Sequence, residues 1–531
     1  MALQTSELSQ NERNRIINDA FNNNLHGKKI YLLGSAEFGP TNEPVLIKTS
    51  IGLKHRFGTK GSLIDAFHAI KYTSKDNEVY LVKVTGNHSS TYLNVNIENG
   101  DIIQDGFIIA ASESNEIFDN IRVNIDIDCI SFDFPKELKL QSLTYYYDDY
   151  PTIDKLSNAI NLDTKLKRSC LQAYYSTDPW ISTKTAFFTC NLDTIYLKGG
   201  LCGLDYTKDL LYNNLNKTYE ILESHDIDII VPLDAFMDDI YPNDSENLET
   251  QYGRKYYQAT KDYLHKDTNG KQLSFMNQLI NFCLIQLNFG IVTTGILGYN
   301  SYHKYSSYYL SEADELLEMY KACFNYNISI CDNQYYSFLV SVVAGDIMYN
   351  HGTIIDNGYL AYAALCADTI YTTGTTNIPL SDNIELYQEF SEEVLSELAD
   401  SGIVTFRHSP LYNKVVVYDG ITASLATENM KLYCNVKMIQ MCISYINKLF
   451  QYYIGKNIYT LIEQKIIDSD LDKILNILSS KSIITKYSFK IEPNYLQNEI
   501  KVYLNLQTCY MIKSIKICSV IKLSYTEPEE E

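Results

Sequence analysis

The sequence predicts a multidomain α+β protein: a mixed α/β body, a β-rich insertion, and a C-terminal domain of two helices and a small sheet. Three observations carry that reading. The 531 residues exceed what one hydrophobic core comfortably holds. Strand-like and helix-like patterns alternate along most of the chain, as in a mixed sheet covered by helices. From Thr427 onward the texture changes to a long striped helix, a second helix, and strands of clean alternation.

The elements follow in order. Residues 1–26 form a polar N-terminal arm, helical from Gln10 to Phe21. Lys29 to Leu33 is a strand ending in the turn-forming run Gly34 to Pro40, and Val45 to Lys48 is a second strand. Ser62 caps a helix through Tyr72 that turns Leu63, Ala66, Phe67 and Ile70 inward, and Val79 to Val84 is a strand. Residues 88–196 hold short strand-like runs (Gly106 to Ala110, Ile121 to Ile127, Leu138 to Tyr145) and read as an inserted domain.

The body, residues 27–87 and 197–424, resumes with Gly199, Gly200 and Gly203. Its predicted elements are a helix from Lys208 to Ser224, a strand from Asp226 to Pro232 buried on both faces, and a helix from Asn277 to Gln286. A strand from Gly290 to Thr294 and a helix from Ala361 to Thr369 come next. A helix from Ile384 to Ser401 is closed by Gly402, and Val404 to Arg407 pairs with Lys414 to Tyr418.

Residues 425–526 form the C-terminal assembly domain, followed by an acidic tail at 527–531. On its long helix, predicted over 427–453, Leu432, Val436, Ile439, Ile443, Ile446 and Phe450 share a face. Ile500, Val502, Leu504 and Leu506 point one way along a strand; Ile515, Ile517, Ile521 and Leu523 repeat the pattern in the next. A sheet at this place has edges to which a neighbouring copy can add a strand.

Composition narrows the function. A net charge of −21 argues against nucleic-acid binding, which needs a concentrated basic surface. No run approaches the length of a membrane-spanning helix, and the polar N-terminus reads as lacking a secretory signal. The 12 cysteines are scattered, without a C-x-x-C pair, and read as reduced thiols of a cytoplasmic protein. The 45 tyrosines accompany abundant Asn, Ile and Lys, a bias of AT-rich genes rather than an aromatic binding surface centred on Tyr145, Tyr146 and Tyr147.

Candidate chemistry is thin. Acids beyond the carboxyl end of the strand at 226–232, namely Asp234, Asp238 and Asp239, could hold a metal for a hydrolase. The simpler reading is that they cap the next turn or face solvent. Gly199 to Gly203 lacks the Gly-Lys-Ser/Thr ending of a phosphate loop, and no nucleophile elbow or zinc-binding histidine pair occurs. The expectation is a structural protein with no enzymatic activity and no cofactor.

Several segments taken together resemble the contractile tail sheath family of phages and phage-derived injection machines. They are Gly34-x4-Gly39-Pro40-x3-Pro44 with Phe57-Gly58 before a helix, and Leu197-x-Gly199-Gly200 with Gly203 and the Asp226 to Pro232 strand. The third is the order Thr376-Asn377-x-Pro379, a helix ending Leu398 to Val404, Arg407, and Asp419-Gly420-Ile421-Thr422; the C-terminal domain is the fourth. The N-terminal lead lacks the Pro-Gly-Val arm of many sheaths, and the insertion at 88–196 carries no motif of the family, which suits its variable outer domain.

The resemblance implies hexameric rings stacked helically around a tail tube, with the C-terminal domain innermost. It also implies partners: further copies of the chain, a tail tube protein, and baseplate and tail terminator proteins, but neither nucleic acid nor an inserted membrane segment. The particle would be a virion assembled in the host cytoplasm, or alternatively a non-viral contractile injection system. Tube-facing candidates are Lys431, Lys437 and Lys448; the hydrophobic positions of the two C-terminal strands are the inter-subunit candidates.

Overall fold

The computed structural model describes residues 29–97, 101–162, 171–187, 195–237, 274–299, 313–349, 354–370, 373–387, 389–424 and 428–508. The predicted arm, the strand from Ile515 to Leu523 and the acidic tail lie outside these residues.

The chain opens with β1 (Lys29–Gly34), β2 (Pro44–Ile47), α1 (Ser50–Phe57), α2 (Ser62–Thr73) and β3 (Glu78–Lys83). Thr49 caps α1, accepting from the Gly52 N–H at 3.1 Å. Ser62 does not cap α2 as predicted; Gly61 takes that position and the Ser62 hydroxyl turns to Ser35 instead.

A β-rich unit follows. β4 (Ser90–Asn96), β5 (Ile102–Ala111) and β9 (Leu171–Tyr175) form one antiparallel sheet. β6 (Arg122–Ile125), β7 (Cys129–Asp133), β8 (Leu143–Tyr146) and β10 (Ile195–Tyr196) form another, with α3 (Ile153–Asn161) completing the core. Phe107, Phe118, Phe132 and Leu156 are fully buried there. Tyr145 and Tyr147 are buried and Tyr146 is exposed, so the tyrosine triplet alternates across a sheet rather than forming an aromatic surface.

The body continues with α4 (Lys208–Leu222), β11 (Ile229–Pro232), α5 (Phe275–Asn288), β12 (Thr294–Gly298), α6 (Ala313–Ser329) and β13 (Val340–Val343). Then come β14 (Asp346–Tyr349), β15 (Ile354–Asn357), α7 (Tyr359–Asp368), β16 (Ile384–Leu386) and α8 (Glu392–Asp400). β17 (Ile403–Val404) is followed by the hairpin β18 (Phe406–Ser409) and β19 (Lys414–Val417).

Among the described residues seven strands form the central sheet, in the order β17-β13-β12-β11-β1-β3-β2. All neighbours are parallel except β2, which runs antiparallel to β3. Alternation sends Ile30 and Leu32 of β1 to a core shared with α2 and α7, and Tyr31 and Leu33 to a core shared with α4, α5 and α6. β11 is buried at every position, as its unbroken apolar run requires.

Two predicted elements are corrected. Residues 290–293 are not strand: Gly290, at φ +74°, turns the chain out of α5, and pairing begins at Thr294. The helix predicted from Ile384 begins only at Glu392. Ser391 caps it, accepting from the Val394 N–H at 3.3 Å, while Ile384 to Leu386 pair with β14. The local preference of this stretch yields to an available strand edge.

The C-terminal part comprises α9 (Tyr433–Gln451), α10 (Ile458–Glu463), α11 (Ile466–Ser480), β20 (Ile484–Asn494) and β21 (Glu499–Thr508). The amino-terminal half of α9 is buried on nearly all sides, because Tyr433 and Val436 pack into the two body cores. Its other half joins α11 around Met441, Leu449, Leu471 and Leu475. Ile439 and Ile443, predicted to face inward, are only partly buried; Met438, Met441, Cys442 and Tyr445 take that role.

The two appendages leave opposite ends of the parallel sheet. The β-rich unit departs from the carboxyl end of β3 on two linkers that pair with each other, Asn87 with Leu201 and Ser90 with Lys198. α9 lies under the amino ends of β11 and β12. There the Gln440 amide donates to the Asp228 carbonyl at 3.2 Å, and the Tyr433 hydroxyl meets that of Thr294 at 3.2 Å.

Candidate functional site

An open parallel sheet binds ligands beyond the carboxyl ends of its strands, where the strand order reverses. Here that point lies between β1, whose chain proceeds to β3, and β11, whose chain proceeds to β12 on the other side. It is filled by the protein itself. The Ser35 N–H donates to Ser62 Oγ at 3.0 Å, and the Ser62 N–H donates back to Ser35 Oγ at 3.3 Å.

Leu233 N–H continues the sheet onto the Leu33 carbonyl at 2.7 Å. A methyl group on Gly34 would meet Ser62 Oγ at 2.5 Å and the Leu233 side chain at 2.9 Å. One on Gly61, at φ +114°, would stand 2.4 Å from the Ser35 carbonyl oxygen. The glycines therefore serve close packing of this end, not the approach of a phosphate.

Asp234 sits in the turn after β11 with a left-handed φ of 60°. Its carboxylate accepts from the Tyr206 hydroxyl at 2.5 Å, and its carbonyl accepts from the Lys208 ammonium, which also lies 5.2 Å over the Phe236 ring. Asp238 and Asp239 lie outside the described residues. Among the described residues no group of three or more His, Cys, Asp or Glu is placed to hold a metal.

The three candidate tube-facing lysines do not share a surface. Lys437 is 1% exposed and its ammonium donates to the Cys366 and Thr369 carbonyls. These carbonyls end α7, where the helix dipole is negative, so Lys437 caps a neighbouring helix inside the protein and does not face outward. Burial pushes its pKa down to about 8, against the opposing pull of Cys366, Asp228 and Asp368. Asp228, held near it at the start of β11, is pushed up to about 6 by burial, its Lys29 N–H bond notwithstanding. Lys431 donates to the Asp400 carbonyl at 2.9 Å, and Lys448 lies half-buried over the Tyr445 ring.

The C-terminal hairpin holds the remaining candidates. β21 pairs with β20, a strand not anticipated from the sequence, in a register from Glu499 opposite Asn494 to Leu506 opposite Tyr487. Ile500, Val502, Leu504 and Leu506 do share one face, together with Tyr487, Phe489 and Ile491, and rest on the core of α9 and α11. That face is only half-buried along its whole length. The Tyr487 hydroxyl fixes the hairpin to α11 by donating to Asp472 at 2.8 Å. Among the described residues this sheet has two strands, so each keeps one edge of backbone donors and acceptors unpaired. Ile515, Ile517, Ile521 and Leu523 lie outside the described residues.

No protein-family model matches the chain, and no curated protein sequence matches it. Solved structures do. The sheath tail protein of Listeria innocua aligns over 94% of this chain and 95% of its own, with a TM-score of 0.52 at 10% identity. The chain has the fold of a sheath tail protein. The sheath tail protein of Desulfitobacterium hafniense aligns over 91% of this chain and 97% of its own, with a TM-score of 0.45 at 11% identity. The contracted helical sheath of the anti-feeding prophage aligns over 62% of this chain and 77% of its own, with a TM-score of 0.38 at 11% identity. The statement of sheath fold rests on the Listeria protein, whose match spans both chains.

Two joints of this sheath fold were missed from the sequence. One is the buried seat of Lys437. The other binds the β-rich unit to the body: Lys83, fully buried, donates to the Ser114 carbonyl at 2.8 Å, and Arg56 pairs with the buried Glu113 at 3.3 Å. Burial holds the Lys83 pKa down at about 8. A lone lysine at the end of a strand, adjoining an apolar run, was the available signal for the second.

Proposed function

We propose that the chain is a non-enzymatic structural subunit of a contractile tail sheath. Copies polymerise as stacked hexameric rings around a tail tube and contract to drive the tube through a cell envelope. The observation that carries this reading is the C-terminal hairpin, which among the described residues is a two-stranded sheet with open edges and a half-covered apolar face on a sheath fold.

A terminal segment of a neighbouring copy adds a strand there, with Ile515, Ile517, Ile521 and Leu523 as candidate donors that also finish covering the apolar face. Each backbone bond contributes roughly 0.5–1.5 kcal/mol, so a joint of several survives while subunits turn. The C-terminal part lies innermost and the β-rich unit outermost, which suits their departure from opposite ends of the central sheet. The tube, baseplate and tail terminator proteins are the other partners, in a virion assembled in the host cytoplasm.

The metal-dependent hydrolase is not favoured. The Asp234 carboxylate is already engaged by Tyr206, and side chains fill the end of the sheet where a ligand would bind.

Electron microscopy of the purified chain at high concentration tests the reading. Hollow six-fold tubules are expected, and a persistent monomer would contradict it. Deleting residues 516–531 is expected to leave a soluble chain that cannot polymerise; ordinary tubules from that truncation would refute strand exchange.

A further inference from the structure

The two edges of the central sheet carry opposite charge. Among the described residues β2 forms one edge, pairing only with β3, and α1 packs beside it. Leu53 and Phe57 hold α1 to the core, while Ile51, 73% exposed, and Lys48, Lys54 and Lys60, all exposed, are left outside. No Asp or Glu occurs between residues 44 and 64, in a chain of net charge −21. From outside that span Glu37 accepts from the Thr59 N–H at 3.1 Å beside Lys60, and Glu113 pairs with Arg56, leaving Lys48, Lys54 and Lys60 in excess. Lys54 and Lys60 make no ion pair among the described residues.

Among the described residues β17 forms the other edge, pairing only with β13, and α8 packs on it and on α6. Val394, Leu395, Leu398 and Ala399 face inward, so Glu392, Glu393, Glu397 and Asp400 are left on the surface. No Lys or Arg occurs between residues 381 and 406. Arg407 pairs with Glu392 at 2.8 Å and Lys321 with Glu397 at 3.1 Å; the Lys431 ammonium sits on the Asp400 backbone carbonyl at 2.9 Å, while the Glu393 and Asp400 carboxylates make no ion pair among the described residues. At the usual strand spacing the two edges stand about 29 Å apart, too far to neutralise each other within one chain at physiological salt.

We propose that the basic β2–α1 edge of one copy, centred on Ile51, docks head to tail on the acidic α8 edge of the next copy. This inference rests on the self-assembly reading and names a lateral contact between copies distinct from the hairpin joint. Two different surfaces meeting in this way generate a closed ring or a helix rather than an isolated dimer. The opposed charges steer the approach, and the exposed isoleucine gives the contact an apolar centre. Assembly through this contact weakens as ionic strength rises.

Charge reversal tests it. One full-length chain carries Lys54→Glu with Lys60→Glu, and a second carries Glu393→Lys with Asp400→Lys. Each alone presents like charges at the contact, and its critical concentration for assembly, read by sedimentation, is expected to rise on the order of tenfold or more. Mixed in equal amounts, the two are expected to assemble again, because alternating copies restore opposite charges at every contact.

Should a reversed chain not fold by circular dichroism, Lys54→Gln with Lys60→Gln, or Glu393→Gln with Asp400→Asn, replaces it, with a smaller rise expected. Reversed chains that assemble at the parent concentration, or a folded mixture that does not recover, would overturn this contact while leaving the sheath reading standing. A parent chain that never assembles would remove both.

Discussion

Replacing Lys437 with methionine tests how the C-terminal helix is seated in the body. In the folded protein the ammonium lies buried against the end of α7, with a pKa of about 8 in place of its ordinary 10.5. Below pH 8 both folded and unfolded chains carry the proton, and the folded state bears the full disadvantage of the buried charge. Between pH 8 and 10.5 the folded chain has released a proton that the unfolded chain retains, so stability rises with pH. At about 1.4 kcal/mol per pH unit the full rise is about 3 kcal/mol, of which about 2 kcal/mol accrues by pH 9.5.

Lys437→Met removes that rise. It also strands two carbonyls at a cost of about 1–3 kcal/mol each, so the variant is no more stable than the parent near neutrality and falls further behind as pH rises. The assay is urea unfolding of both chains from pH 7 to 9.5, taking the difference between them so that Lys83 and the tyrosines cancel. A difference that stays constant over this range would show that Lys437 titrates as an ordinary surface lysine, and that α9 does not sit under the sheet as described.

Other expectations follow from the same packing. Leu475→Ala, at a fully buried site between α9 and α11, is expected to lower stability by about 2–5 kcal/mol, read as a lower urea midpoint. Glu113→Gln is expected to lower it by about 1–3 kcal/mol by removing the buried partner of Arg56 and a nearby negative charge that favours the Lys83 ammonium, whereas Lys184→Gln, which removes an exposed pair, leaves the thermal midpoint unchanged. Gly61→Ala forces a methyl group against the Ser35 carbonyl at a left-handed φ, and a fall in the thermal midpoint with retained α/β circular dichroism is expected. Asp234→Asn is expected to leave assembly into tubules intact, as microscopy of the variant would show.

Much of the central sheet was legible because burial leaves strong patterns. The apolar run of β11 and the stripe of α2 can each be read from periodicity. The predicted strand Val404 to Arg407 instead straddles a break at Thr405, with Val404 ending β17 and Phe406 beginning the strand that pairs with β19. β20 was also legible in principle: Tyr487, Phe489 and Ile491 alternate with Lys486, Ser488 and Lys490. The runs at 500–506 and 515–523 alternate more regularly, so periodicity alone pairs β21 with the segment after it, whereas in the fold it pairs with the one before.

Lys437 shows a different limit. Its spacing on α9 places it on the polar side of the stripe, which ordinarily means solvent. Only the tertiary fold reveals that α7 ends there, with carbonyls that need a donor. The helix expected from Ile384 failed for a related reason, since the edge offered by β14 lies 35 residues or more earlier in the chain.

The central claim is that the open edge of the C-terminal hairpin is completed by another copy of the chain. A side-chain-resolution reconstruction of assembled tubules measures this directly. A further strand, traceable to a neighbouring subunit and hydrogen-bonded along Glu499 to Thr508, is expected. A hairpin edge that faces solvent, or is covered only by its own chain, would contradict it.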